Sequence, residues 1–148
     1  MNKKTKIRID SSQDVPPGKD KEHILLVDDE IDLVESGIRV LRWMGYQVQG
    51  VTAPSEALEM IRSQPQQFDL IISDYSMHQM NGIQLAEEIK RINPGIPIIL
   101  LTGYGSDIPQ KQIKSNVING VVTKPISKNE LAIVIRKVLA ESPSTPGA

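Results

Sequence analysis

Two kinds of segment follow one another along the chain. The first is short and is either continuously apolar or alternates apolar with polar residues. In the second, apolar residues recur at three- and four-residue intervals. The short runs are typical of strands, and the periodic segments are typical of amphipathic helices. The predicted strands are residues 23–27, 46–52, 70–74, 96–101 and 120–123. The predicted helices are residues 31–41, 54–63, 82–92, 106–116 and 131–139. The fourth helix is the weakest, because Ile108 and Ile113 are its only apolar anchors.

Five strand and helix pairs between residues 22 and 141 predict one α/β domain. Parallel neighbours need crossover connections, so we expect a parallel sheet with helices on both faces. The flanking residues 1–21 and 142–148 are polar, contain prolines and lack apolar periodicity, which predicts flexible tails or linkers. Neither tail is long enough for a second enzymatic or DNA-binding domain. We therefore expect output through a partner protein, unless the chain is a piece of something longer.

Composition excludes several classes of function. Lys plus Arg number 17 and Asp plus Glu number 18, and the net charge of −1 gives no field that would hold nucleic acid or an anionic membrane. There are no cysteines, which excludes a disulfide framework, thiolate metal sites and a cysteine nucleophile. The basic start is followed by polar residues, and no apolar run is long enough to span a bilayer. We expect a soluble, cytoplasmic protein.

Polar side chains follow four of the five predicted strands. Asp28 and Asp29 come after the first strand, Asp74 ends the third, Thr102 follows the fourth and Lys124 follows the fifth. Ligands of parallel sheets bind outside the carboxyl ends of the strands, so these side chains converge where chemistry is expected. Each alone is commonly a helix cap, a loop hydroxyl or a solvated charge. Clustered carboxylates, however, repel one another unless a cation joins them, and the pattern predicts a metal site.

Mg²⁺ suits these residues, since it takes oxygen ligands from one or two carboxylates and completes its shell with water and phosphate. A metal beside Asp74 would neutralise part of an incoming phosphoryl group, and the carboxylate could then attack phosphorus as a nucleophile. Lys124 would balance charge on one phosphoryl oxygen, and Thr102 could donate a hydrogen bond to another. The candidate catalytic residues are thus Asp74, Thr102 and Lys124.

Four motifs together resemble the receiver domain of two-component response regulators. They are "VDDE" at 27–30, "ISDYSMHQMNG" at 72–82, "LLTG" at 100–103 and "TKP" at 123–125. The resemblance covers residues 22–141 and looks closest to receivers attached to hybrid sensor kinases. It implies a flavodoxin-like (βα)5 fold, a three-layer sandwich whose parallel sheet has the order 2-1-3-4-5.

The resemblance also implies a phosphoacceptor switch in a phosphorelay. Asp74 would accept the phosphoryl group of a sensor histidine kinase or a phosphotransfer domain, and the chain would catalyse its own phosphorylation and slow dephosphorylation without turning over a dedicated substrate. Mg²⁺, or Mn²⁺ in its place, would be held by Asp28, Asp29, Asp74 and the backbone carbonyl of Ser76. The family further implies a cis bond before Pro125, a downstream protein bound at the face from the fourth to the fifth helix, and a monomer or weak dimer.

Four positions depart from the family pattern or modulate it. Val121 stands where receivers usually carry Tyr or Phe, which puts the coupled hydroxyl-and-ring switch in doubt. Ser76 and Tyr104 occupy the two positions that, in the family, influence how fast the phosphoryl group is lost, and we predict that Tyr104 shields the acyl phosphate. His78 stands where many relatives have Pro. We interpret it as a solvated loop histidine, since Mg²⁺ favours oxygen over imidazole.

Two other functions compete with this interpretation. A phosphatase with an aspartyl nucleophile would also use Thr and Lys at later strands, but such enzymes place the nucleophile in a D-x-D arrangement on the first strand, and here the isolated aspartate is on the third. The second rival is a receiver-like interaction module that signals without phosphorylation. The presence of every acidic, hydroxyl and lysine position weighs against it.

Overall fold

The computed structural model describes residues 22–103 and 117–141. Within these residues the strands are β1 (His23–Val27), β2 (Gln47–Val51), β3 (Leu70–Asp74), β4 (Ile98–Thr102) and β5 (Gly120–Thr123). The helices are α1 (Ile31–Trp43), α2 (Pro54–Ser63), α3 (Gly82–Ile92) and α4 (Lys128–Glu141), the last of which is the fifth predicted helix. The sheet is parallel with the order β2-β1-β3-β4-β5, which confirms the predicted fold.

Two apolar layers cover the sheet because strand residues point alternately to opposite faces. On one face, Ile24, Leu26 and Ile72 pack in a cluster with residues of α1 and α4. On the other face, Leu25 and Ile71 pack in a cluster with residues of α2 and α3. Every residue of β3 and β4 is buried, as their nearly unbroken apolar sequences require. The carboxyl ends of the central strands therefore lie in the packed core of the domain.

The predicted fourth strand, residues 96–101, differs from the observed β4 by one residue at its end and by two at its start. Ile96 is buried, yet the ladder with β3 begins at Ile98. Pro97 lies between them and has no N–H to donate to a neighbouring strand, although its carbonyl accepts the N–H of Ile71 at 3.0 Å. An apolar sequence alone does not distinguish buried residues that precede a strand from residues that pair within it.

The start of α3 is built closely against the end of β3. Asn81 caps the helix by accepting the Gln84 N–H at 2.8 Å, and the Gln84 side chain accepts the Asn81 N–H at 2.9 Å. Gly82 follows and donates its N–H to the Tyr75 carbonyl at 2.8 Å. A Cβ at Gly82 would lie 2.5 Å from the backbone oxygen of Asp74. This position therefore requires glycine for close approach, rather than for a left-handed conformation.

Several predictions fall on residues outside the described part of the chain. They are the fourth helix at 106–116, the tails at 1–21 and 142–148, and Tyr104. In the described ranges, none of the helices combines the length and apolarity that crossing a membrane demands.

Candidate functional site

Three carboxylates meet at the edge of the sheet where the strands end. Val27 of β1 pairs with Ser73 of β3, so the residues that follow them, Asp28 and Asp74, lie side by side. Both are buried, and Asp29 beside them is partly exposed. One oxygen from each of the three carboxylates can be chosen so that all lie within 4.8 Å of one another. The acidic cluster expected from the sequence is therefore assembled.

Lys124 places its ammonium on this cluster from the end of β5. Its Nζ lies 2.8 Å from Asp74 Oδ1 and 3.9 Å from Asp28 Oδ2. Thr123 pairs with Thr102 in the sheet, and the Lys124 N–H donates to the Thr102 carbonyl at 2.8 Å, which anchors the lysine backbone. The Lys124–Pro125 peptide bond is cis, as the family resemblance implies.

The electrostatics of the cluster favour a further cation. Burial raises the pKa of the Asp28 carboxyl above its ordinary value, and the charges of Asp74 and Asp29 raise it further. The Glu30 N–H, which donates to Asp28 Oδ1 at 3.0 Å, and the Lys124 ammonium oppose that shift. Three carboxylates face one ammonium, so the ionised cluster keeps an excess of negative charge that a divalent ion would offset.

The other predicted site residues surround the cluster at different depths. Thr102 is buried at the end of β4, the strand next to β3. Ser76 lies in the exposed loop two residues beyond Asp74. Val121 of β5 is half-buried and packs against the hydrophobic cluster between the sheet and helices α2 and α3. Pro125 is exposed beside the lysine.

His78 has a contact that the sequence interpretation missed. Its side chain is 94% exposed, as expected for a solvated loop histidine. It nevertheless contacts Asp29 twice, through its backbone N–H at 3.0 Å and its ring Nδ1 at 2.5 Å, both to Oδ2. The available signal was the departure from Pro at this position, because any other residue restores a backbone N–H beside the acidic cluster.

The family model of the response regulator receiver domain matches residues 24–136. The chain belongs to this family. The sensor kinase CckA of Brucella abortus (strain 2308) is 31% identical to this receiver over 116 residues, equal to 78% of this chain and 12% of that protein. The transcriptional regulatory protein ZraR of Escherichia coli (strain K12) is 34% identical over 122 residues, equal to 82% of this chain and 27% of that protein.

A solved structure supports the same family at the level of the fold. The response regulator receiver domain protein from Clostridium thermocellum superposes with a TM-score of 0.75 at 27% identity, covering 80% of this chain and 94% of that one. This receiver thus corresponds to nearly the whole of that chain. It spans only a small share of the two curated relatives, which are a sensor kinase and a transcriptional regulator.

The donor set of this receiver fits a hard divalent ion. Carboxylate oxygens from Asp28, Asp29 and Asp74 converge on one spot, and Mg²⁺ binds through such ligands. The ring of His78 also contacts the cluster, and its Nδ1 is engaged with Asp29. Oxygen chemistry therefore dominates the site.

Proposed function

We propose that this receiver is a phosphoacceptor switch in a two-component phosphorelay. Asp74 accepts a phosphoryl group from a phosphohistidine of a sensor histidine kinase or a phosphotransfer domain, and phosphorylation changes the binding of a partner protein. One observation carries the proposal: the buried Asp74 carboxylate has the Lys124 ammonium 2.8 Å away and two further carboxylates beside it. A nucleophile, a charge-balancing cation and oxygen ligands for a metal thus share one edge of the sheet.

The transfer step balances with the groups at the site. An Asp74 carboxylate oxygen attacks phosphorus, the phosphorus–nitrogen bond of the donor breaks, and its electron pair returns to the donor imidazole, which takes up a proton. The product is an aspartyl phosphate. Hydrolysis later restores the carboxylate and releases inorganic phosphate when water attacks the phosphorus.

Each site residue has a proposed part in this step. Asp28, Asp29, Asp74 and the Ser76 carbonyl would hold Mg²⁺, or Mn²⁺ in its place. The bound ion would supply Lewis-acid neutralisation of the phosphoryl oxygens. Lys124 exchanges its contact with Asp74 Oδ1 for one with a phosphoryl oxygen, which keeps its charge where negative charge develops.

The output step depends on residues that sense the phosphoryl group from neighbouring strands. Thr102, at the end of β4, would donate a hydrogen bond to a phosphoryl oxygen and draw its backbone toward the site. Val121 cannot supply the aromatic ring that usually accompanies this movement, but Thr102 can still move. The proposed readout for a downstream protein is the face from residues 106–116 to α4.

Intact mass measurement after incubation with Mg²⁺ and acetyl phosphate tests the proposal. The wild type should gain one phosphoryl group, and Asp74→Asn, which keeps the shape of the side chain, should gain none. Asp69→Asn is a matched control, because Asp69 flanks the opposite end of β3, where it accepts the His23 N–H at 2.8 Å, and this variant should be labelled like the wild type. An unlabelled wild type, or equal labelling of Asp74→Asn, would contradict the proposal and favour the phosphorylation-independent module.

A further inference from the structure

The loop between β3 and α3 makes a two-point contact with one ligand of the acidic cluster. The His78 backbone N–H and ring Nδ1 both reach Oδ2 of Asp29, at 3.0 and 2.5 Å. The histidine side chain is 94% exposed and the Asp29 side chain is 16% exposed. Packing therefore does not force the ring onto the carboxylate; the two hydrogen bonds hold it there.

The chemistry of the two groups determines which oxygen of Asp29 is left for a ligand. A carboxylate only accepts hydrogen bonds, so Nδ1 carries the hydrogen and donates it, as the backbone N–H does. Both donors fall on Oδ2. In the described part of the chain, no hydrogen bond from the protein reaches Oδ1, so its lone pairs are available to a cation.

We propose that His78 is a positioning residue, which clamps Oδ2 of Asp29 so that Oδ1 is presented to the divalent ion and the ion binds more tightly. The inference rests on the proposed function only in requiring that the acidic cluster binds Mg²⁺. Carboxylates that ligate metals are themselves commonly hydrogen-bonded, and loss of such an outer partner lowers metal affinity about 10- to 100-fold.

Substitutions at position 78 differ in which of the two donors they keep. Proline has neither the N–H nor a side-chain donor. Alanine keeps the N–H and lacks the side-chain donor. Asparagine keeps the N–H and brings an amide nitrogen that can donate from a position close to that of Nδ1. His78→Asn therefore keeps both donors, His78→Ala keeps one and His78→Pro keeps neither.

Titration calorimetry with Mg²⁺ on the full chain tests the clamp by affinity rather than by phosphorylation. We expect His78→Asn to bind within about threefold of the wild type, His78→Ala to bind about tenfold more weakly, and His78→Pro to bind more weakly still. His23→Asn controls for loss of a histidine, because His23 begins β1 at the opposite edge of the sheet and should leave the affinity unchanged.

Amide hydrogen exchange in the wild type is a second test, and it does not require any variant to fold. In ¹⁵N-labelled wild type, the His78 backbone N–H should exchange with solvent no faster when Mg²⁺ saturates the site than without the ion, since the ion takes Oδ1. Faster exchange on saturation would mean that the ion displaces His78 from Asp29, and the positioning role would be wrong.

Three affinity results would overturn the inference. The first is that His78→Ala binds Mg²⁺ as tightly as the wild type. The second is that His78→Ala binds it more tightly, which would make His78 a competitor of the ion. The third is that His78→Asn binds Mg²⁺ as weakly as His78→Ala. The proposed function fails separately. If the affinities follow the expected order but acetyl phosphate never labels the wild type, the clamp holds and the phosphoacceptor role does not.

Discussion

Replacing Gly82 by alanine should destabilise this receiver through steric clashes behind Asp74. Gly82 begins α3, and an added Cβ would lie 2.5 Å from the Asp74 backbone oxygen, 2.5 Å from Leu100 Cδ1 and 3.1 Å from Tyr75 Cα. Ordinary van der Waals contact begins near 3.4 Å, so the new carbon is about 0.9 Å too close to its nearest neighbours. Either α3 or the end of β3 has to move.

The size of the effect follows from which neighbour can yield. The Leu100 side chain can rotate away from the new methyl group, but the Asp74 carbonyl belongs to a fully buried central strand. Overpacking of this kind costs about 1–3 kcal/mol, and a backbone obstacle places it in the upper part of that range. We expect the free energy of unfolding to fall by about 2–3 kcal/mol.

Urea unfolding followed by far-ultraviolet circular dichroism measures this change, with an m-value like that of the wild type. Gly95→Ala is the matched control, because the nearest atom to its added Cβ, Asn93 Oδ1, is 3.8 Å away. That variant should be neutral or more stable by up to about 1 kcal/mol, since alanine restricts the unfolded chain. If Gly82→Ala unfolds within about 0.5 kcal/mol of the wild type, the inferred close approach of α3 to Asp74 is wrong.

The remaining predictions concern the charges and the lifetime of the site. Without Mg²⁺, Asp28→Asn should be more stable than the wild type at pH 7. Burial raises the Asp28 pKa in the folded protein. As the pH falls from that raised value toward 3.8, the carboxyl takes up a proton, and the difference in the free energy of unfolding between Asp28→Asn and the wild type should shrink. Urea titrations at several pH values would show this. A constant difference would refute this. Lys124→Met should slow labelling by acetyl phosphate about 100-fold yet lower the Mg²⁺ dissociation constant, because the ammonium no longer repels the ion. Equal labelling rates would contradict its role. Tyr104→Ala should shorten the lifetime of the aspartyl phosphate, and an unchanged lifetime would reject the shielding hypothesis.

Much of the fold could be predicted because buried strands and helices have recognisable patterns of apolar residues in the local sequence. The unbroken apolar residues from Leu70 to Ile72 indicate a strand covered on both faces, and the position of Asp74 after them marks its carboxyl end. Parallel strands bring such ends to one edge, and for that reason the acidic cluster could be predicted from strand ends alone. The order of the strands came instead from the family resemblance, since apolar periodicity does not say which strands are neighbours.

The contacts inside the site needed the tertiary structure. Asp29 and His78 are 49 residues apart, and their two hydrogen bonds depend on the path of the loop between β3 and α3. That path is set by the cap at Asn81 and by the close approach at Gly82, neither of which reveals where the ring of His78 points. Likewise, the sequence predicted Lys124 at the carboxyl edge of the sheet, but only the structure shows that its ammonium pairs with Asp74 Oδ1.

The sequence by itself therefore determined where the buried strands run and which polar groups reach the carboxyl edge, because side-chain period and strand ends are local properties. Tertiary structure decided how those groups share their hydrogen bonds. A carboxylate has two oxygens, and which of them faces a cation depends on donors that a distant loop delivers.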